Sequence, residues 1–361
     1  MNRPTAGPRR LRVRQVIKPA IGVLAIVLVL EYVLLPQIAG ARKTLRLLSD
    51  VDGWWLALGV LAEIASLLAY VRLTVLTLQA PQVHYRRIMQ IDLSTLAISH
   101  VVPAGSVVGV GLGYRLLVRA GVPRANAVSG KTLQTVGSAV VLNVILAVGL
   151  LFALVLHGGD PLYGPIAAVG LALIVAVTIA VVLILRREER IIARVTRLLS
   201  RLPHVDPAAG GRLIDSLAQT LRHLGRDRGF LRQTLWWAAA NWLLDALALW
   251  CSVRAFGHTL GPVGLVVGYG LANVAAALPL TPGGLGVVEG ILVPALVAFN
   301  APRGIAILGV LAWRLFSFWI PIPIGLACYA PLMVSSDTEV IERPHDDHSV
   351  EHPPRPGECT T

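Results

Sequence analysis

Residues 132–156 run for 25 positions without a charged side chain. An α-helix of that length, at about 1.5 Å per residue, crosses a hydrocarbon layer of about 30 Å. No strand and no ordinary amphipathic surface helix needs so long an uncharged run. Comparable stretches occur at 19–39, 54–78, 166–185, 235–253 and 305–333, with at most two charges in each. Of the 361 residues, 55% are hydrophobic and 14% charged, whereas a soluble domain carries about 25% charged residues. Too little polar side chain is present to cover a globule in water. The chain therefore reads as an all-α integral membrane protein, a polytopic helical bundle.

The net charge is +12. In a soluble protein that excess points to nucleic acid. Here the Arg and Lys residues cluster between apolar runs, so the expected partners are anionic lipid headgroups and not nucleic acid. Cys251, Cys328 and Cys359 lie far apart, which leaves neither a disulfide framework nor a CxxC metal site.

Two apolar regions are interrupted. Residues 91–102 meet Pro103-Ala104-Gly105 before 107–118, and residues 263–278 meet Pro279-Leu280-Thr281-Pro282-Gly283-Gly284 before 287–300. Pro and Gly in these clusters stop a helix. Arms of a dozen residues reach only about 18 Å and fall short of a crossing. Each region is expected to form a re-entrant helical hairpin, giving about six full spans and two hairpins. The basic residues support this count. Residues 1–18 hold six Arg or Lys and no acid, and residues 186–232 hold 11 Arg against 5 acids. Both fall on the cytoplasmic side only if the first broken region returns to the side it left.

The expected organisation is a basic cytoplasmic N-terminus (1–18), a transmembrane domain (19–333) and a disordered acidic tail (334–361). Both termini are then cytoplasmic in a multi-pass plasma-membrane protein. Within the basic loop (186–233), Arg190, Arg194, Arg197 and Arg201 repeat at helical spacing beside Ile191, Val195, Leu198 and Leu202. That pattern suits an amphipathic helix in the headgroup plane or a solvated connector.

The broken regions, at 91–156 and 263–333, are copies of one another. At a single constant offset along the chain, Pro103 matches Pro282, Gly105 matches Gly284, and Gly111 matches Gly290. Pro123-Arg124 matches Pro302-Arg303, and Ala127, Gly130 and Ser138 match Ala306, Gly309 and Ser317. Eleven of 36 positions from 103 to 138 are identical to their counterparts. Three expected crossings between the copies make the repeat inverted, the plan by which many transporters build a midplane site.

Charged and ionisable residues fall inside the apolar segments: Glu31, Glu63, Arg72, Asp92, His100, Lys131, Asp245, Glu289 and Arg314. Each costs about 2.5–3.5 kcal/mol on insertion scales unless paired or hydrated. Arg72 and Lys131 lie close enough to a membrane face to snorkel. Asp92 is placed to cap a helix, and His100 to satisfy backbone at the first break. Glu289 and Arg314 lie deeper. They form either a structural ion pair or a substrate site in which Arg314, with Lys131, holds a phosphate that Glu289 orients. The candidate substrate-binding residues are Glu289, Arg314, Lys131 and His100. The hairpin tips are marked by Pro103, Gly105, Pro282, Gly283, Gly284 and Gly286. Gly105, Gly109 and Gly113 have the spacing of close helix packing.

Enzyme signals are weak. Asp50-Val51-Asp52 resembles a metal-dependent sugar-transfer DxD, but beside Gly53 it reads as a turn. There is no HExxH, nucleophile elbow or P-loop, so no cofactor or metal is expected. The alternative to lipid translocation is a non-catalytic membrane partner of an envelope glycosyltransferase or lipid-modifying enzyme, suggested by the basic helix and the acidic tail.

Leu278-Pro279-Leu280-Thr281-Pro282-Gly283-Gly284-Leu285-Gly286-Val287-Val288-Glu289-Gly290, followed by Trp313-Arg314-Leu315-Phe316-Ser317-Phe318-Trp319, resembles the lysylphosphatidylglycerol synthase transmembrane-region family. This is the flippase-like membrane half of the multiple peptide resistance factor. Ser99-His100-Val101-Val102-Pro103-Ala104-Gly105 and Gly113-Tyr114-Arg115-Leu116-Leu117 look like the actinobacterial form of its first half. The resemblance spans roughly residues 15 to 333. It implies a polytopic flippase-type protein of the plasma membrane, with Glu289 and Arg314 as motif residues. Two departures stand out. The 28-residue acidic tail is not expected to be an aminoacyl-transferase half, so aminoacylation of lipid is not expected of this chain. And Ser106 replaces the acid often found after the first Pro-x-Gly.

Overall fold

A computed structural model of the chain describes residues 51–102, 105–157, 227–277 and 281–341. Among these residues the structure is helical: α1 (Gly53–Leu78), α2 (Tyr85–Val101), α3 (Gly105–Arg119), α4 (Arg124–His157), α5 (Arg228–Ala255), α6 (Pro262–Ala276), α7 (Val287–Ala298), α8 (Arg303–Arg314) and α9 (Pro321–Ile341). A 3-10 turn, Pro282–Gly284, precedes α7, and a π turn, Leu315–Trp319, joins α8 to α9. The expected spans at 19–39 and 166–185, the amphipathic run at 190–202, Pro103 and most of the acidic tail lie outside the described residues.

Helix ends follow local chemistry. Asp52 caps α1 by accepting from the Trp54 N–H at 3.0 Å, and Asp227 caps α5 by accepting from Gly229 and Phe230. Asp52 is thus part of a helix start, in keeping with a turn at the DxD. The π turn comes where Pro321 has no N–H to continue an α ladder; Ile320 N–H instead reaches the Leu315 carbonyl at 2.9 Å. Helical geometry continues to Ile341, past the boundary that composition placed at 333.

Three described helices are long and apolar enough to cross a membrane: Gly53–Leu78, Arg124–Leu156 and the joined Arg303–Leu332. The expected span at 235–253 lies in α5, which is long enough at 28 residues but not apolar enough. Asn241 and Asp245 lower its hydropathy, and both turn inward to hydrogen-bonded partners. Four of the six expected spans fall among the described residues, and three of these are long and apolar enough to cross. The outer face of α4 carries Leu151, Phe152, Val155 and Leu156, all more than half exposed, as suits a surface whose solvent is lipid.

Both interrupted regions fold as helical hairpins, α2–α3 and α6–α7, whose arms pack on each other. With 17, 15, 15 and 12 residues, the arms measure about 18–26 Å and stop short of a full crossing. In the first hairpin, Gly105 and Gly109 of α3 lie directly against Ser99 of α2, and a Cβ on Gly113 would stand 3.2 Å from the Thr95 hydroxyl. The small-residue spacing thus serves close helix packing. In the second hairpin, Gly264 lies against Phe299.

The duplication is three-dimensional. Each repeat contains a long helix, a hairpin and a second long helix: α1, α2–α3, α4 in the first, and α5, α6–α7, α8–α9 in the second. The two opening helices pack along each other. Asp52 N–H donates to the Ala255 carbonyl at 3.0 Å, where one helix begins and the other ends, and Ser66 meets Asn241 farther along. These contacts make α1 and α5 antiparallel, so the repeats are inverted. The exchange is reciprocal, with α2 packing on α9 and α6 on α4. The main core lies between α1 and α4–α8, around Leu146, Leu249, Tyr269, Leu292 and Trp313. A smaller core joins α1–α4 and α9 around Leu78, Ile88, Leu117 and Leu332.

Candidate functional site

The second hairpin tip is built on glycine. Gly283, Gly284 and Gly286 have φ of 55°, 71° and 77°, a region that L side chains rarely enter. This backbone turns the Gly284 carbonyl toward Arg314 Nη2, at 3.2 Å. It also presents the Gly286 N–H to Glu289 Oε2, at 2.6 Å. Glu289 is the third residue of α7, and its carboxylate reaches back over the helix start, where negative charge is favoured. Its other oxygen takes Arg314 Nε. Arg314 and Glu289 are each only 5% exposed. The pair is closed and desolvated, with one carboxylate and one carbonyl accepting from the guanidinium.

The first hairpin tip meets this pair through an aromatic layer. His100, at the end of α2, stacks on Phe318 with ring centroids 4.3 Å apart, and its Nδ1 lies 3.2 Å from the Phe318 carbonyl oxygen. The Arg314 guanidinium lies 5.0 Å from the centre of the same Phe318 ring. A Cβ on Gly283 would stand 3.3 Å from His100 Cδ2. The end of α2 and the glycine turn before α7, far apart in sequence, therefore touch across one ring. Thr281 Oγ1, at the tip, and Ser317 Oγ, one turn beyond Arg314, are buried without a hydrogen-bond partner. Buried hydroxyls are ordinarily satisfied, so two orphan donors lie in the segments that carry the guanidinium and the glycine loop.

Glu289, Arg314, Gly283, Gly284, Gly286 and His100 thus come together, with Pro282 opening the turn. Lys131 does not join them. It donates to Asp92 at 2.7 Å and to Gln134 at 2.8 Å, and lies over the Tyr70 ring. Gln134 donates on to Thr74. Lys131 is 8% exposed, so its ammonium is held by Asp92 and Gln134 instead of snorkelling to a membrane face. Asp92 is the eighth residue of α2 and caps nothing. Each cation has its own carboxylate, because α2 faces α4 through Asp92 while the glycine loop faces α8 through Glu289. Gly105 marks the start of α3 and packs on Ser99 without entering the site. Sequence reasoning missed Phe318 as a member of the site. The run Arg314–Phe318 at i, i+4 was the signal available for the ring, since those positions share a helix face.

Residues 15–325 match the family model described as the lysylphosphatidylglycerol synthase TM region. The chain is also similar to two UPF0104 membrane proteins of Methanothermobacter thermautotrophicus. One is 29% identical over 182 residues, covering 47% of this chain and 54% of the relative. The other is 26% identical over 120 residues, covering 33% and 35%. The match thus spans about half the length of the first relative and about a third of the second. Family and apolar helices together place the protein in a membrane.

Proposed function

The chain belongs to the lysylphosphatidylglycerol synthase transmembrane-region family, and on that premise we propose that it moves an amphiphile with an anionic headgroup between membrane leaflets, with no covalent chemistry of its own. The amphiphile is a phospholipid or a polyprenyl phosphate. The observation that carries this reading is the Arg314–Glu289 pair, sealed where two inverted hairpins meet. Glu289 occupies the place of an anion: a carboxylate at a helix start, held by a guanidinium and a backbone N–H. A phosphate entering the site would replace it on Arg314 and find donors in Thr281 and Ser317. The inverted repeat supports transport because exchanging the conformations of its two halves opens such a site to the opposite side. The same reading places the protein in the plasma membrane with both termini cytoplasmic, on the strength of the basic residues at 1–18 and 186–232.

The test is reconstitution of the full chain in liposomes carrying a fluorescent anionic phospholipid, with an impermeant quencher added outside. Wild type should expose inner-leaflet probe, and Arg314→Ala should not. A wild-type rate equal to that of empty liposomes would overturn the proposal.

A further inference from the structure

Trp313, the residue before Arg314 on α8, reaches a second, partly buried acidic group on α5. Trp313 Nε1 donates to Asp245 Oδ1 at 2.6 Å, and the Tyr269 hydroxyl donates to Asp245 Oδ2 at 2.7 Å. Both oxygens of Asp245 are therefore acceptors. The antiparallel register of α1 on α5, fixed by Asp52 against Ala255 and by Ser66 against Asn241, brings Glu63 beside Asp245. Two neighbouring carboxyl groups in a water-poor interior do not both ionise, so one of them carries an O–H. With Asp245 already accepting twice, the O–H belongs to Glu63. Glu63 is 6% exposed, and its Oε2 is buried without a partner, as suits the carbonyl oxygen of a neutral acid whose hydroxyl points at Asp245. Glu63 also lines a cavity of about 260 Å³ between α1, α2 and the π turn, with Ile64, Met89, Leu93 and Phe316.

We propose that Glu63 is a proton-binding site linked to Arg314, so that an anionic headgroup and a proton move together. This rests on the translocation reading above. The groups facing Glu63 are few. Asp245 comes from α5, Tyr269 reaches Asp245 from α6, and Trp313 reaches it from α8, next to Arg314 in the chain. The Asp92–Lys131 pair on α2 and α4 also engages Gln134 and lies at Tyr70, two turns along α1 from Glu63. With Glu63 protonated, Asp245 and Glu289 contribute two negative charges against one positive charge on Arg314. Ionising Glu63 would leave three against one in a water-poor interior. A headgroup phosphate on Arg314 adds further negative charge, which strengthens proton binding at Glu63, and by linkage the proton strengthens anion binding. The chemistry balances: an O–H bond forms at Glu63 as one breaks in hydronium, and the reverse occurs on release, with no oxidation or reduction.

Two readouts on the full chain test this. In infrared spectra of purified protein at neutral pH, wild type should show a carboxylic-acid C=O band that Glu63→Gln removes. In liposomes, a gradient of one pH unit should shift the steady-state distribution of fluorescent anionic lipid by up to about tenfold at one proton per lipid, and Glu63→Gln should abolish the asymmetry. Wild-type lipid movement with no response to the gradient, or a band unchanged by Glu63→Gln, would overturn the inference. Absence of any wild-type lipid movement would overturn the translocation reading instead, and the infrared band then decides the proton site alone.

Discussion

Gly130 and Gly309 occupy equivalent positions in the two repeats, and each is the point where a helix presses onto the long helix that opens its own repeat. A Cβ on Gly130 would lie 2.8 Å from the Thr77 carbonyl oxygen of α1, and one on Gly309 would lie 2.5 Å from the Val253 side chain of α5. Both helices begin at a Pro-Arg pair, and both bury the alanine three positions before the glycine, Ala127 and Ala306. A packing device has been kept in both halves of an inverted fold.

The glycines therefore differ in what they tolerate. Gly130→Ala and Gly309→Ala are expected to destabilise by about 1–3 kcal/mol through overpacking, more at Gly130, whose nearest neighbours are backbone atoms. Gly111 and Gly290 are also repeat equivalents but have nothing within 4 Å of an added Cβ. Alanine there should be neutral or stabilising by up to about 1 kcal/mol. Thermal melts of the four variants in detergent check the contrast; equal melting temperatures would refute it.

Glu289 and Arg314 should separate stability from function. Removing either partner alone strands a buried charge, at a cost of about 3–5 kcal/mol. The apolar double variant Glu289→Leu/Arg314→Met should recover most of that stability while remaining unable to move lipid. Recovery of lipid movement in the double variant would show that the pair only braces the fold.

Lys131 and Asp92 should behave differently. Each single apolar replacement should again cost about 3–5 kcal/mol. In Lys131→Met/Asp92→Leu, both stability and lipid movement should return, because this pair is hydrogen-bonded within the first repeat and faces no hairpin tip. A stable double variant that moves no lipid would restore Lys131 to the site.

Asn241 and Ser66 lock the antiparallel crossing. Asn241 Nδ2 donates to the Ser66 hydroxyl at 2.9 Å and to its carbonyl at 3.2 Å, and the Ser66 hydroxyl returns a bond to the Asn241 carbonyl at 3.0 Å. A double-mutant cycle with alanine at both positions should give a coupling of about 0.6–1.7 kcal/mol, the range for polar contacts between membrane helices. Additive melting shifts would show that the crossing rests on packing alone.

Much of the architecture was legible in the residues. Clustered Pro and Gly end helices, so the interruptions at 279–286 and near 103 declared two hairpins before any packing was known. A recurring Pro-Arg and Gly spacing declares the duplication, and the apolar runs of α1 and α4 declare spans because no other environment tolerates them. Partnerships were not legible. Asp92, Lys131, Glu289 and Arg314 were all visible as charges at depth. Which acid faces which base depends on how each helix is rotated and where it crosses its neighbours, and those angles are set by side chains far away in the chain. The same holds for His100 on Phe318 and for Glu63 against Asp245. Local chemistry names the groups that must be neutralised in a medium of low dielectric, and only the packed fold brings each within reach of the group that does it.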